Sequence, residues 1–305
     1  MGGGPTGLTA AIYAARENYS VLIVERSGLG GQAAITERLD NYPGFPEGVG
    51  GAELADRMAA QAARYGVEAL QAVGVKELLP GEAGEVEVVT STGERYRAGA
   101  VLVATGSTYR RLHAEGEDNL IGAGVHFCAT CDGPFYRDAE EVVVIGGGNS
   151  GLEEGLFLTQ FARHVTVVEY ADQLAGNRLL QDKVRAHPRM TVHTGTQVTR
   201  FEADAAGKLA AVWTRPAGTD EAPARRPATG AFVFIGLTPN TAFLGERIAV
   251  DAAGFVVTDR TFATSLPGVF AAGDVRQGST KQLAAAVGEG AAAAIQIRHH
   301  LDAAG

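Results

Sequence analysis

The sequence predicts an α/β protein built on two Rossmann-like dinucleotide-binding domains, and three observations carry that prediction. A glycine-rich turn followed by a helix, a strand and an acid occurs twice. The two copies keep register at an offset of 144 residues, Gly2 on Gly146, Gly7 on Gly151 and Glu25 on Glu169. The remaining segments read as short apolar strands and Ala-rich helical stretches, which suit a sheet covered by helices.

In order along the chain, Gly2-Gly3-Gly4-Pro5-Thr6-Gly7 opens a helical pattern through Arg16, and Ser20 to Val24 reads as a strand ending at Glu25. The first glycine permits the turn, the second lets backbone approach a pyrophosphate, and the third lets helix and strand pack closely. The helix N-terminus then offers free N–H groups and a favourable dipole to the phosphates. The acid can bind two ribose hydroxyls. Glu85 to Ser91 and Gly99 to Ala104 read as strands, the second running into Thr105-Gly106. The second unit has a strand Glu141 to Ile145, the turn Gly146 to Gly151, a helix to about Phe161, and a strand Val165 to Val168 ending at Glu169. Val192 to Phe201 and Ala210 to Thr214 suggest a smaller sheet, and Pro216 to Pro227, polar and holding three prolines, an exposed loop. Phe232 to Ile235 and Val269 to Ala272 are strands, and Lys281 to Leu301 is a closing helix.

Composition narrows the function classes. With 305 residues the length prior is about two domains. A 46% hydrophobic content is too high for disorder, and Glu289 inside the most apolar stretch, Leu283 to Ile297, marks a buried helix and no membrane span. A net charge of −9 argues against nucleic acid or an anionic membrane as partner. There are only two cysteines, three apart, and no secretion signal opens the chain. One cysteine pair suits a cytoplasmic redox protein better than a secreted scaffold.

The pair is Cys128-Ala129-Thr130-Cys131, followed by Asp132. This spacing lets two thiols form a reducible disulfide and lets one act as thiolate. Asp132 can move a proton during exchange. Zinc would need two more ligands, with only His126 nearby, so no metal is expected; inert structural thiols are the other alternative. The pair lies just upstream of the second dinucleotide unit. That position suggests electrons passing from nicotinamide through a flavin to a disulfide.

With these residues assembled, the chain resembles the low-molecular-weight thioredoxin reductases along essentially its whole length. The matching stretches are Gly2–Gly7, Gly30-Gly31-Gln32, Asn41-Tyr42-Pro43-Gly44, Ala104-Thr105-Gly106, Cys128–Gly133, Gly146–Gly151, Gly236 with Pro239-Asn240, and Gly273-Asp274. The resemblance implies an FAD domain from residues 1–112 and 240–305, with a nicotinamide domain carrying the dithiol, 113–239, inserted between. It implies that Gly2, Gly4 and Gly7 cradle the FAD pyrophosphate, that Glu25 holds the adenosine ribose and that Gln32 and Asn41 line the flavin site. Asp274 would meet the ribityl chain, and the last helix would point its start, near Gln282, at the flavin. Ala104, Thr105, Gly106 and Lys281 complete the implied FAD set. Gly146, Gly148, Asn149, Ser150, Gly151 and Glu169 would hold the nicotinamide dinucleotide. Cys131 would face the flavin, and Cys128 would attack a thioredoxin disulfide with Asp132 as proton donor. A homodimer is implied as well.

Two departures stand out. NADPH-dependent members carry a basic pair after the second strand of the nicotinamide domain, where this chain has Glu169-Tyr170-Ala171-Asp172. A carboxylate repels a 2′-phosphate, so NADH is expected over NADPH, with Arg178 the residue best able to rescue NADPH. This segment, with Gln181-Asp182-Lys183 and Lys281-Gln282, is similar to the alkyl hydroperoxide reductase flavoprotein subunit. Second, Met1 precedes the first glycines directly, so the first strand of the FAD domain is missing. Its neighbours would lose backbone partners, at about 1 kcal/mol or more per buried group. A start upstream of Met1 is the expectation, or else poor FAD affinity and stability.

The leading expectation is an FAD-dependent thioredoxin-disulfide reductase. The alternatives are supply of a peroxiredoxin through a separate thioredoxin-fold carrier, a dithiol oxidase, which would not need Gly146–Gly151, and a non-catalytic flavoprotein or redox sensor. Ferredoxin-type NADP reductases of similar fold lack the dithiol. His299-His300 reads as an exposed helix end.

Overall fold

The computed structural model describes residues 1–36, 38, 39 and 41–304, and the chain divides into two compact units, Met1–Thr108 with Thr238–Gly305, and Tyr109–Leu237. The chain crosses from one unit to the other along the strands Ser107–Tyr109 and Leu237–Pro239, which pair as a two-stranded sheet. The sequence put these crossings a few residues further on, at 112/113 and 239/240.

The inserted unit holds a five-stranded parallel sheet. Its strand order is Met190–His193, Val165–Val168, Val142–Ile145, Gly230–Val233 and Val125–His126. All but Met190–His193 are buried along their whole length, as strands covered on both faces must be. The two-residue period of a strand sorts their side chains. Val142, Val144, Val165, Val167 and Phe232 join one core with the helix residues Leu152, Leu158 and Val184. Val143, Ile145, Val168, Ala231 and Val233 join a second with Val198, Phe201 and Val212. Each such fully buried side chain contributes about 1.5–3 kcal/mol. The second core lies under a three-stranded antiparallel sheet, Thr196–Ala203, Leu209–Pro216 and Ala224–Pro227.

Here the structure corrects the sequence reading twice. The expected strand from Val192 to Phe201 is two strands in different sheets, broken at Gly195, whose φ is +56°. The expected loop from Pro216 to Pro227 keeps only its first half. Ala224–Pro227 is an edge strand, where proline is tolerated. Arg225 reaches Glu202 Oε1 at 2.8 Å and Arg226 reaches Thr214 Oγ1 at 2.8 Å.

The first unit is assembled from two parallel pairs, Leu22–Val24 with Glu68–Leu70, and Val101–Val103 with Val269–Ala271. A three-stranded antiparallel sheet, Val75–Pro80, Val86–Thr90 and Arg95–Ala98, completes it. Met1 and Gly2 stand between the two parallel pairs. The Met1 amino nitrogen donates to Leu102 O at 2.8 Å, Ala104 N–H donates to Met1 O at 2.9 Å, and Gly2 N–H donates to Val24 O at 2.9 Å. Met1 thus occupies the register that Ile145 holds in the insert, where Phe234 N–H donates to Ile145 O and Gly146 N–H to Val168 O. The last helix is Leu283–Ala304 and starts two residues later than expected, because Lys281 takes a left-handed φ of +56°. Among the described residues, no helix is long and apolar enough to cross a membrane.

Candidate active site: a dithiol and two dinucleotide cradles

The glycines of each turn separate into two kinds. In the insert, Gly146 has φ +116°, and a Cβ on it would lie 2.4 Å from Phe234 O. A Cβ on Gly151 would lie 1.9 Å from Gly146 O. Both are glycines because the backbone passes too close for anything else. Gly148 is different. It caps the helix Asn149–Leu158, no side chain caps that helix, and nothing lies within 4 Å of where its Cβ would stand. First-turn N–H groups that no side chain caps, with open space beside a Gly148 that carries no side chain, fit a pyrophosphate. The other unit repeats the pattern. A Cβ on Gly2 would meet Ala104 O at 2.3 Å and one on Gly7 would meet Gly2 O at 2.0 Å. Gly4 caps Pro5–Arg16 without a side-chain bond, and a Cβ there would approach only Gly31 Cα, at 3.9 Å.

The acids behave alike too. Glu25 Oε2 accepts the Gly3 N–H at 2.7 Å, and its Oε1 accepts the Ser27 N–H at 2.9 Å. Glu169 Oε2 accepts the Gly147 N–H at 2.5 Å, and its Oε1 accepts the Ala171 N–H at 2.8 Å. Each acid ties the glycine turn to the end of the next strand. Glu25 Oε1 also accepts the Ser27 hydroxyl at 2.9 Å; with about four lone-pair sites to a carboxylate, Glu169 retains more capacity for ribose hydroxyls than Glu25. In the insert, a cavity of about 300 Å³ opens beside Gly146, Val168, Glu169, Tyr170, Gln197 and Ile235. It lies at the carboxyl ends of the parallel strands, where such sheets receive ligands. Asn149 Oδ1 accepts the Asn177 N–H at 2.7 Å, and Ser150 is exposed in the first helical turn. Arg178 is 94% exposed, with Asp182 Oδ2 4.0 Å from its Nε.

Of the remaining residues implied for FAD, Asn41 and Gln282 meet, Nδ2 to Oε1, at 3.2 Å across 241 positions of sequence. Gln32 is exposed on the short helix Gly31–Ala34. Thr105 Oγ1 donates to Asn240 O, and Asn240 Nδ2 donates back to Thr105 O, both at 2.8 Å. This stitch holds Ala104 to Gly106 in place. Lys281 Nζ donates to Asp274 O at 2.7 Å and lies 4.2 Å from the Phe255 ring centroid. Burial pushes the Asp274 carboxyl above the usual carboxylate range, against the pull of Lys281 and a Ser279 hydroxyl. Burial also lowers the Lys281 ammonium, against the pull of Asp274. Sequence reasoning missed the residue that braces this loop. Glu289 accepts the Gly273 N–H at 2.7 Å and pairs with Arg276 through both oxygens, at 2.7 and 3.2 Å. Its signal was a charge within an otherwise apolar helix.

Cys128 and Cys131 are joined as a disulfide, with Cα atoms 5.3 Å apart. Cys128 caps the single helical turn Ala129–Asp132, and its Sγ accepts the Cys131 N–H at 3.2 Å. The turn is anchored by Ala129, fully buried in the first core. Asp132 ends the turn, 19% exposed, with its Oδ2 3.4 Å from His126 Nδ1. His126 Nε2 and the Tyr136 hydroxyl are 2.6 Å apart. Burial, with the Asp132 charge adding to it, raises the Tyr136 phenol far above its ordinary value. Among the described residues, no group of three or more His, Cys, Asp or Glu could hold a metal.

The model of the family described as pyridine nucleotide-disulphide oxidoreductase matches residues 1–290. The chain is 40% identical over 303 residues to a thioredoxin reductase of Mycolicibacterium smegmatis, covering 99% of this chain and 95% of that one. It is 38% identical over 304 residues to a thioredoxin reductase of Listeria innocua, covering 99% and 92%. Among solved structures, it resembles a thioredoxin reductase of Streptococcus pyogenes at a TM-score of 0.92 and 36% identity, covering 99% and 96%.

Proposed function

The chain belongs to the pyridine nucleotide-disulphide oxidoreductases, within them to the thioredoxin reductases, and on that premise we propose an electron path from NADH to a thioredoxin-like protein. It is a flavoprotein oxidoreductase with a redox-active disulfide, of a family that uses FAD and NAD(P)H. The observation that carries the path is the Cys128–Cys131 disulfide, followed by Asp132 and set ahead of the strand Val142–Ile145 that leads into a dinucleotide cradle. Bound FAD supplies the conversion of a two-electron hydride into thiol–disulfide chemistry.

The residues of the chain do the rest. Gly2, Gly4, Gly7 and Glu25 hold the FAD dinucleotide, with Ala104, Thr105, Gly106, Asn41, Gln282 and Asp274 around its flavin end. The room at Gly4, where a Cβ would touch only Gly31 Cα at 3.9 Å, and the uncapped helix behind it support this. Gly146, Gly148, Gly151 and Glu169 hold the nicotinamide dinucleotide, supported by the matching space at Gly148. Cys128 Sγ accepts the Cys131 N–H, a bond that favours the thiolate and suits Cys128 to attack a partner disulfide. Asp132 donates the proton that the departing partner thiolate needs.

NADH is preferred because Glu169 places a carboxylate where a 2′-phosphate would lie. Its two N–H bonds, to Gly147 and Ala171, hold it there. Arg178, 94% exposed, is the residue most able to oppose it. Steady-state oxidation of NADH and NADPH with thioredoxin as acceptor tests both parts. A specificity constant for NADPH equal to or above that for NADH overturns the preference. A homodimer working in the cytoplasm completes the reading, and sedimentation of the holoenzyme tests the dimer.

A further inference from the structure

We propose that His126, backed by Tyr136, is a positioning residue that holds the Asp132 carboxyl for proton transfer during dithiol exchange. The inference rests on the reading of Asp132 given above and adds to it two residues from outside the cysteine motif. His126 ends the edge strand Val125–His126, and its ring is buried, 8% exposed. It lies 5.3 Å from the Phe232 ring centroid and 5.4 Å from that of Tyr136. The ring is thus fixed on both sides and has little freedom to turn.

Its two nitrogens have different partners. Nδ1 lies 3.4 Å from Asp132 Oδ2, and Nε2 lies 2.6 Å from the Tyr136 hydroxyl. A carboxylate only accepts, so the ring proton belongs on Nδ1, and Nε2 accepts from the phenol. Tyr136 can always donate, because burial keeps its hydroxyl protonated. Its ring is wedged over Gly230, where a Cβ would stand 2.5 Å from Tyr136 Cε1. That contact explains a glycine inside a fully buried strand, and it fixes the phenol. The titratable groups facing the imidazole are therefore Asp132 from the helical turn and Tyr136 from the turn after it, while the sheet presents Phe232. Contacts of proton-transfer groups are often long at rest and shorten in the working complex, as the 3.4 Å separation here allows.

The Cys128 thiolate attacks the partner disulfide, a mixed disulfide forms, and the first partner thiolate takes the Asp132 proton. Asp132 then takes the Cys131 proton, and Cys131 attacks Cys128 Sγ, breaking the mixed disulfide. The second partner thiolate leaves and takes that proton. Two electrons and two protons reach the partner, and the enzyme disulfide is restored. His126 Nδ1–H steadies Asp132 each time it becomes an anion.

The test is rapid mixing of NADH-reduced holoenzyme with oxidised thioredoxin across pH. His126→Asn and Tyr136→Phe are made alone and in an Asp132→Asn background. The expectation is a slowing of about tenfold for His126→Asn and several-fold for Tyr136→Phe, below the roughly 10²–10⁴ that a directly acting acid or base supplies, with a shifted pH profile. In the Asp132→Asn background each should change the rate less than about twofold, since coupled residues are not additive. Equal factors in both backgrounds, or wild-type rates and profiles for the single variants, overturn the proposal. If His126→Asn does not fold, Tyr136→Phe, which removes one oxygen, decides alone. Failure of the wild-type enzyme to reduce thioredoxin would instead count against the function itself.

Discussion

Two glycines of one turn should answer opposite questions when replaced by alanine. At Gly151 a Cβ would stand 1.9 Å from Gly146 O, well inside the roughly 3.4 Å of ordinary contact. The helix Asn149–Leu158 must then move away from the strand Val142–Ile145, about 1.5 Å, loosening Leu152 and Leu158 in the first core. Overpacking of this kind costs about 1–3 kcal/mol. At Gly148, with φ −77° and ψ 179°, alanine meets no atom within 4 Å and strains nothing. Its stability cost should be under about 1 kcal/mol, the loss of glycine's modest advantage as an N-cap. The added methyl, however, fills the space assigned to a pyrophosphate. Binding of nicotinamide dinucleotide should weaken at least tenfold, about 1.4 kcal/mol. Urea unfolding measures the first effect, and titration of the oxidised holoenzyme with the dinucleotide measures the second. The reasoning is refuted if Gly148→Ala binds as tightly as wild type, or if it unfolds as readily as Gly151→Ala.

Further expectations follow from the braces around each cradle. Glu169→Ala removes both N–H partners of Gly147 and Ala171 and the charge opposing a 2′-phosphate; kcat/KM for NADH should fall about tenfold and the NADH to NADPH ratio should drop in step. Glu289→Gln leaves Arg276 without its counter-charge in a half-buried site and should cost about 2 kcal/mol in urea unfolding, with weaker flavin retention. Asp274 has a folded pKa raised above its unfolded value, so the folded state binds more protons and stability declines as pH rises through that raised value. Asp274→Asn should remove this slope, so flavin-free protein should gain more stability at pH 7 than at pH 4. A gain that is the same at both values would refute the assignment.

How much of this was legible in sequence depended on whether a demand was local. The turns at Gly2 and Gly146 showed themselves because a sharp bend, a close approach and a tight helix contact each exclude side chains at fixed spacing. The acids at Glu25 and Glu169 followed from the same register. The strand Ala224–Pro227 did not show, because its polar, proline-flanked residues become a strand only through Arg225 on Glu202 and Arg226 on Thr214. Thr194 and Gly195 were read through as strand, although a left-handed Gly195 sends the chain into another sheet. The left-handed Lys281 likewise hid the true start of the last helix, since lysine gives no warning of that conformation. Asn41 and Gln282 were expected near the flavin, but their contact with each other is a product of the fold. His126 stood out in sequence only as a candidate zinc ligand, and Tyr136, ten positions on, not at all; tertiary packing joins the two to Asp132.

The electron path stands or falls with Cys128. NADH oxidation by the purified holoenzyme, followed with oxidised thioredoxin as the only acceptor, compares wild type with Cys128→Ser. Serine keeps the size of the side chain but cannot form the mixed disulfide. Thioredoxin-dependent turnover by wild type and its loss by at least about a thousandfold in the variant is the predicted result, as for removal of a covalent nucleophile. Continued reduction of thioredoxin by Cys128→Ser would contradict the account.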